Sequence, residues 1–286
     1  MNINTFEKTH PLFPKLLKEI PKPPEKIYLK GELFPNKPKI AIVGTRKATE
    51  YGKKLAFETA KELSQLGFVI VSGLAYGIDK AAHLGALSEG GKTIAVLASG
   101  FNKIYPPTHK DLAEKISENG ALLTEYEKDT PSLAYRFLER NRIIAGLSIA
   151  TIIIEAPEKS GALTTARLAA EYGREVFVFP GPINHKNFSG SFKLIRDGAR
   201  LISSIKDILE DLKMENLIKT NHQKTFNLEP EEKIIFNLIS NANQPIKAEE
   251  IKKITRYPIE KINTLITKLI IKEKIQETEN GFIAKT

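Results

Sequence analysis

Lys39-Ile40-Ala41-Ile42-Val43-Gly44-Thr45-Arg46-Lys47-Ala48-Thr49-Glu50-Tyr51-Gly52 decides how the rest of this sequence is read. Residues 40–43 are a short apolar run without polar alternation, the pattern of a strand covered on both faces. A glycine then turns the chain, and residues 51–66 carry apolar positions at helical period. The same unit repeats. Further strand-like runs occupy 69–72, 93–97, 121–124, 152–155 and 176–179, and helical segments occupy 78–88, 109–118, 134–146 and 163–172. Five repeats predict a parallel sheet with helices on both faces. Crossovers of the usual right hand make it an α/β, Rossmann-like doubly wound domain over 39–212.

Outside that domain the pattern changes. Residues 1–38 read as an irregular lead-in with one helix over 11–20, stopped by Pro21, Pro23 and Pro24. Residues 213–227 are polar and without period, as a linker would be. Over 228–286, amphipathic helices at 229–240, 248–255 and 259–271 precede strands at 275–278 and 282–284, which flank the hairpin dipeptide Asn280-Gly281. Three helices and a hairpin are the winged-helix order. Such a module either reads DNA through its third helix or serves protein contacts, and Lys261, Lys268 and Lys272 leave both open.

A length of 286 residues, 41% hydrophobic and 27% charged, suits a large globular domain with a smaller companion. No apolar run approaches the length of a membrane span, and residues 1–10 lack the apolar core of a signal peptide, so a cytoplasmic protein is expected. The absence of cysteine excludes disulfides, thiolate catalysis and Cys-ligated metal centres. The five histidines include no H-x-x-x-H pair, so a zinc hydrolase is not expected, and the sequence is read as metal-free and without a cofactor. Net charge is +9, of which residues 221–286, with 11 Lys/Arg and 9 Asp/Glu, hold only +2. The excess sits on the large domain and favours a polyanionic partner.

Doubly wound domains bind ligands beyond the carboxyl ends of their strands, so those loops carry the functional reading. The first loop, 44–52, is not G-x-G-x-x-G, and the second strand ends in Ser72-Gly73 instead of a ribose-holding acid. Ordinary NAD binding is therefore not expected. A glycine, hydroxyls and Arg46 at a strand-to-helix turn still suit an anion; the alternative is a tight turn with a solvated arginine. In the second loop Asp79 complements a helix start, and His83, one turn on, is expected to form a structural pair with it. Residues 86–93 mimic a phosphate loop but follow a helix and open a strand, the reverse of what ATP binding needs. Phe137 with Arg140-Asn141-Arg142 joins a ring to two arginines, a combination suited to single-stranded nucleic acid. The alternative puts Phe137 in the core and one arginine on a carboxylate such as Glu155. Residues 155–166, with Ser160 and Gly161, give another hydroxyl-rich helix start. No nucleophile elbow or Ser-His-Asp order accompanies these loops, which favours binding over catalysis.

Together, Val43-Gly44-Thr45-Arg46, Ser72-Gly73-x-Ala75-x-Gly77-Ile78-Asp79 with Ala82-His83, Tyr105-Pro106, Arg140-Asn141-Arg142, Ser160-Gly161-Ala162-Leu163, Pro180-Gly181 and Leu194-Ile195-x-x-Gly198-Ala199 resemble the DNA-processing DprA/Smf family. The match runs in order over roughly residues 14–202. The resemblance implies a non-enzymatic protein that binds single-stranded DNA, protects incoming strands in natural transformation and loads RecA recombinase onto them. It also implies a homodimer formed around residues 194–212. Its DNA site would comprise Gly44, Arg46, Ser72, Gly73, Phe137, Arg140, Asn141, Arg142, Lys159, Ser160 and Gly161. In that site Arg46 and Arg142 hold phosphates, Phe137 stacks a base, and the Ser-Gly loops offer backbone N–H groups. The chain departs from the family's pattern in lacking an N-terminal helical domain and in carrying Phe192 at a usual asparagine position. Two other readings are a nucleotide-processing enzyme of the lysine-decarboxylase-like (LOG) group and a winged-helix transcriptional regulator.

Overall fold

The computed structural model describes residues 3–217, 229–242, 244–272, 274–278 and 280–284. It divides into two units, Met1–Ile218 and Lys219–Thr286. In the first, strands β1 (Ile3–Glu7), β2 (Lys26–Gly31), β3 (Lys39–Val43), β4 (Val69–Ser72), β5 (Lys92–Val96), β6 (Ala121–Thr124), β7 (Ala150–Ile153), β8 (Glu175–Val178) and β9 (Arg200–Leu201) form one sheet. Its order is β1-β2-β6-β5-β4-β3-β7-β8-β9. All pairings from β6 to β9 are parallel. The chain steps outward from β3 through β4, β5 and β6, then returns to place β7 on the other side of β3. That reversal makes the β3/β7 boundary the switch point of the sheet.

Side-chain alternation along β3 shows why its run is apolar throughout. Ile40 and Ile42 enter one core with Ile70, Ile152 and Phe177, while Ala41 and Val43 enter another with Val71, Val96 and Ile153. Helices α2 (Glu50–Gln65), α3 (Ile78–Ser88) and α8 (Ile205–Asp211) cover the first face. Helices α1 (Lys15–Lys18), α5 (Ala134–Leu147), α6 (Gly161–Glu171) and α7 (Ser189–Arg196) cover the second, and α4 (Lys110–Asn119) packs on a smaller core under β5 and β6. With both faces covered, a single large-to-small change such as Ile42→Ala costs about 2–5 kcal/mol.

The lead-in is not irregular. Residues 1–38 contribute β1 and β2, which extend the sheet antiparallel beyond β6. Ile27 and Leu29 alternate into the core from β2, and β1 hydrogen-bonds along its outer edge. Only Lys15–Lys18 of the expected helix forms, because Pro14 fixes its start and Pro21, which disfavours a helical Ile20, leaves room for little more than one turn. The seventh strand ends two residues earlier than its apolar run predicts, leaving Glu155 beyond the strand end.

The second unit holds α9 (Pro230–Asn241), α10 (Ala248–Thr255), α11 (Ile259–Ile271) and the hairpin β10 (Ile275–Thr278) and β11 (Gly281–Ala284). Ile235, Ile239, Ile251, Ile262, Leu265 and Ile266 are among its core residues. Buried Glu232 accepts from Lys272 at 2.6 Å and from the Glu229 N–H at 2.9 Å. Of the expected linker, residues 213–217 are described, and Met214 and Leu217 pack on the first unit's core; residues 218–227 lie outside the described residues. No described helix is long and apolar enough to cross a membrane.

Candidate nucleic-acid interface

The loops leaving β3 and β7 flank the switch point and, with α5, wall a pocket of about 470 Å³. Arg46, Lys47, Arg140 and Lys159 line it against one carboxylate, Asp79. Arg46, Lys47 and Lys159 are exposed, and among the described residues none of the three is ion-paired with a carboxylate. The Arg46 guanidinium lies over the Phe137 ring, 5.0 Å from its centroid. Tyr105 meets the same ring edge-on at 5.3 Å. Phe137 is half-buried, so of its two sequence readings neither core residue nor free platform describes it alone.

Opposite α5, Ser160 caps α6 by accepting from the Ala162 N–H at 3.2 Å. Gly161 follows, exposed, and its carbonyl accepts from the Asn141 side-chain amide at 3.2 Å. A Cβ added at Gly161 would meet only that amide, at 3.9 Å. The start of α6 thus faces the pocket with no side chain over it; Ser160 takes the Ala162 and Leu163 N–H groups, and the positive end of the helix dipole still favours an anion there.

Buried groups fix these loops. Glu155, fully buried, accepts from the Thr49 N–H at 3.0 Å, from the Thr49 hydroxyl and from the Asn187 amide at 2.8 Å. Thr49 in turn caps α2 through the Gly52 N–H. One carboxylate therefore holds the β3–α2 turn against the end of β7 and the 187 loop, and among the described residues no arginine pairs with it. Gly77, at φ 74°, lets the second loop pass under the first: a Cβ there would sit 2.3 Å from the Thr45 carbonyl oxygen. Asp79 accepts from the Gly73 N–H at 3.1 Å and more weakly from Ala75. Arg140 donates to the carbonyls of Gly73, at 2.7 Å, and Val96. Burial pushes the Asp79 carboxyl up against the pull of the Arg140 guanidinium. Burial also brings Arg140 down to about 10, with Asp79 opposing the shift.

The structure thus separates the predicted site residues. Gly44, Arg46, Phe137, Arg140, Asn141, Lys159, Ser160 and Gly161 come together around the pocket. Ser72 and Gly73 do not line it. The Ser72 hydroxyl donates to Ile42 O at 2.7 Å, and both backbone groups of Gly73 are engaged by Asp79 and Arg140, so neither presents a donor. Arg142 also lies outside the lining and pairs with Glu125 at 2.6 Å. The reason is helical geometry, since residues two apart on α5 face away from each other. The carboxylate-bridging alternative holds for Arg142, with Glu125 in place of Glu155.

His83 does not pair with Asp79, whose oxygen is occupied by loop N–H groups. Its Nδ1 lies 2.8 Å from the Thr93 hydroxyl, which donates to Ile70 O, so Nδ1 carries the proton. Burial lowers the His83 pKa to about 3. Residues 86–93 do join a helix to a strand, with Gly90 in the left-handed region between them. Sequence reasoning passed over Lys47 and Asn187. Lys47 was legible beside Arg46 in the same turn, whereas Asn187 gave no signal because its partner Glu155 lies 32 residues away.

A doubly wound α/β domain with a cationic, aromatic-edged pocket at its switch point defines the class: a Rossmann-like protein. Residues 4–213 match the family of DNA recombination-mediator protein A. The chain is 42% identical over 217 residues to the DNA processing protein DprA of Bacillus subtilis, covering 75% of this chain and 73% of that protein. It is 44% identical over 191 residues to protein Smf of Escherichia coli, covering 66% of this chain but only 51% of the relative. Among solved structures, DprA of Streptococcus pneumoniae superposes with a TM-score of 0.69 at 39% identity, over 73% of this chain and 74% of that one. DprA of Helicobacter pylori, described for its single-stranded DNA binding mode, gives 0.67 at 36% identity, over 74% of this chain and 96% of that one. The chain belongs to the DprA/Smf family.

Proposed function

We propose that this chain binds single-stranded DNA at the switch-point pocket and serves as a recombination mediator. In that role it protects incoming strands and hands them to RecA. The observation that carries the reading is the unpaired Arg46 lying over Phe137 beside the open start of α6. It sets a cation suited to phosphate, a ring suited to stacking and the positive end of a helix side by side. Arg46, Lys47 and Lys159 hold phosphates, Phe137 stacks a base, and Gly44, Ser160 and Gly161 let the backbone approach. Ser72, Gly73, Arg140 and Asn141 act beneath the pocket as its support. The description of the Helicobacter pylori relative as a single-stranded-DNA binder supports the reading.

The protein acts by binding rather than catalysis, because the pocket's one carboxylate, Asp79, is buried and held by backbone N–H groups. It works as a homodimer through residues 194–212, where the edge strand β9 leaves Leu201 exposed. The second unit is a winged-helix module. Comparing Arg46→Ala with Arg142→Ala in dT-oligomer titrations tests the site. Arg46→Ala weakens binding by about 1–3 kcal/mol, the range for a charged hydrogen bond, whereas Arg142→Ala leaves affinity near that of the parent. Equal losses would place the strand elsewhere.

A further inference from the structure

A second cavity, of about 570 Å³, opens at the amino ends of the central strands, on the opposite edge of the sheet from the switch-point pocket. Its size lies within the range of about 300–1,000 Å³ typical of small-molecule sites. The walls are mainly apolar and include Leu12, Phe13, Leu33, Leu147, Ile149 and Met214. The charged groups facing it are Lys15 from α1, Glu19 just after it, Lys37 from the loop before β3, and Lys39 at the start of β3. Lys92, beyond the lining, lies over the Phe34 ring.

Lys39 is the unusual member. Its exposure is 8%, and its ammonium donates to Phe34 O at 2.8 Å and Lys37 O at 3.1 Å, leaving one of three N–H donors unassigned. Among the described residues no carboxylate lies within ion-pair distance of Lys15, Lys37 or Lys39, and Glu19 is paired with Arg174 at 3.1 Å. A buried cation with no counter-ion is costly, and an anion entering the cavity would remove that cost. Burial lowers the Lys39 pKa to about 8, the direction expected of an ammonium that lacks a partner.

We propose that this cavity is a binding site for an amphipathic carboxylate, an aliphatic acid whose head group pairs with Lys39 while its chain lies on the apolar walls. The site needs both parts, since the walls offer nothing to a free inorganic anion and the lysine nothing to a neutral alkane. It is independent of the nucleic-acid pocket.

Calorimetric titration of the full chain with sodium decanoate tests it. The expected result is saturable binding at one site at pH 7, about tenfold weaker at pH 9, where most of the Lys39 ammonium has lost its proton and the ligand remains charged. Lys39→Met should cause a similar loss at pH 7. If that variant does not fold, the comparison of pH 7 with pH 9 on the parent decides alone. No saturable binding overturns the proposal, as does binding unchanged at pH 9 or in folded Lys39→Met. Affinity for a dT oligomer is expected to be the same with and without decanoate, so failure of either site is read separately.

Discussion

Arg46 and Phe137 are placed by different elements, the β3–α2 turn and α5, yet meet at 5.0 Å. Their roles differ and so should their losses. Phe137→Ala removes a stacking surface, costing about 1–3 kcal/mol per base, and leaves the salt slope of binding unchanged. Arg46→Ala weakens binding and also lowers that slope by about 0.7, the value for one phosphate contact to a single strand. Titrations at several salt concentrations separate the two. Gly161 gives a cleaner contrast. Space around it is open, so Gly161→Ala should leave the thermal midpoint unchanged or slightly raised. The same methyl group intrudes where the strand approaches the start of α6, and affinity should fall severalfold. Unchanged affinity would mean that no ligand comes close there.

His83 carries a pH prediction at the same scale. Its folded pKa, about 3, lies below the ordinary value of 6.5, so the fold favours the neutral ring. Between those values the unfolded chain binds the extra proton, and the stability contribution present above pH 6.5 is lost as pH falls toward 3. The Asp79 carboxyl, pushed up by burial, acts in the opposite direction. Comparing urea midpoints of the parent and His83→Asn at pH 7.5 and 5.0 isolates the histidine. The variant should lose less stability on acidification, and parallel losses would contradict the assignment.

At the scale of elements, the β3–α2 turn is held by contacts from three other segments: Glu155 after β7, Asn187 before α7 and Gly77 before α3. Gly77→Ala forces a Cβ against the Thr45 carbonyl at a positive φ, so it should destabilise the domain by more than about 1 kcal/mol. It should also weaken DNA binding, because the displaced loop carries Arg46. Denaturant melts and titrations of this variant check both. These dependencies explain what the sequence reveals and what it hides. Apolar runs such as 40–43 and 69–72 are legible because burial on both faces demands them. Strands β1 and β2 are not, since an antiparallel edge needs only Ile27 and Leu29 inside and prolines surround them. Most of the residues singled out in the loops at the strand ends do come together around one pocket. What cannot be read there is that Asp79 and Arg140 already occupy the Gly73 backbone, since Arg140 is 67 residues distant.

Across the whole molecule, the excess positive charge lies on the first 220 residues, and Arg46, Lys47 and Lys159 at the switch-point pocket have no carboxylate partner among the described residues. A site made of phosphate ligands and one ring predicts weak sequence preference and steep salt dependence. It also predicts a preference for single strands, because a duplex keeps its bases stacked away from Phe137. The most direct measurement is fluorescence-anisotropy titration of the full chain with a labelled dT oligomer and with a duplex of equal length, each at two salt concentrations. The account predicts tighter binding of the single strand, falling steeply as salt rises. Equal or stronger duplex binding, or affinity indifferent to salt, would contradict it.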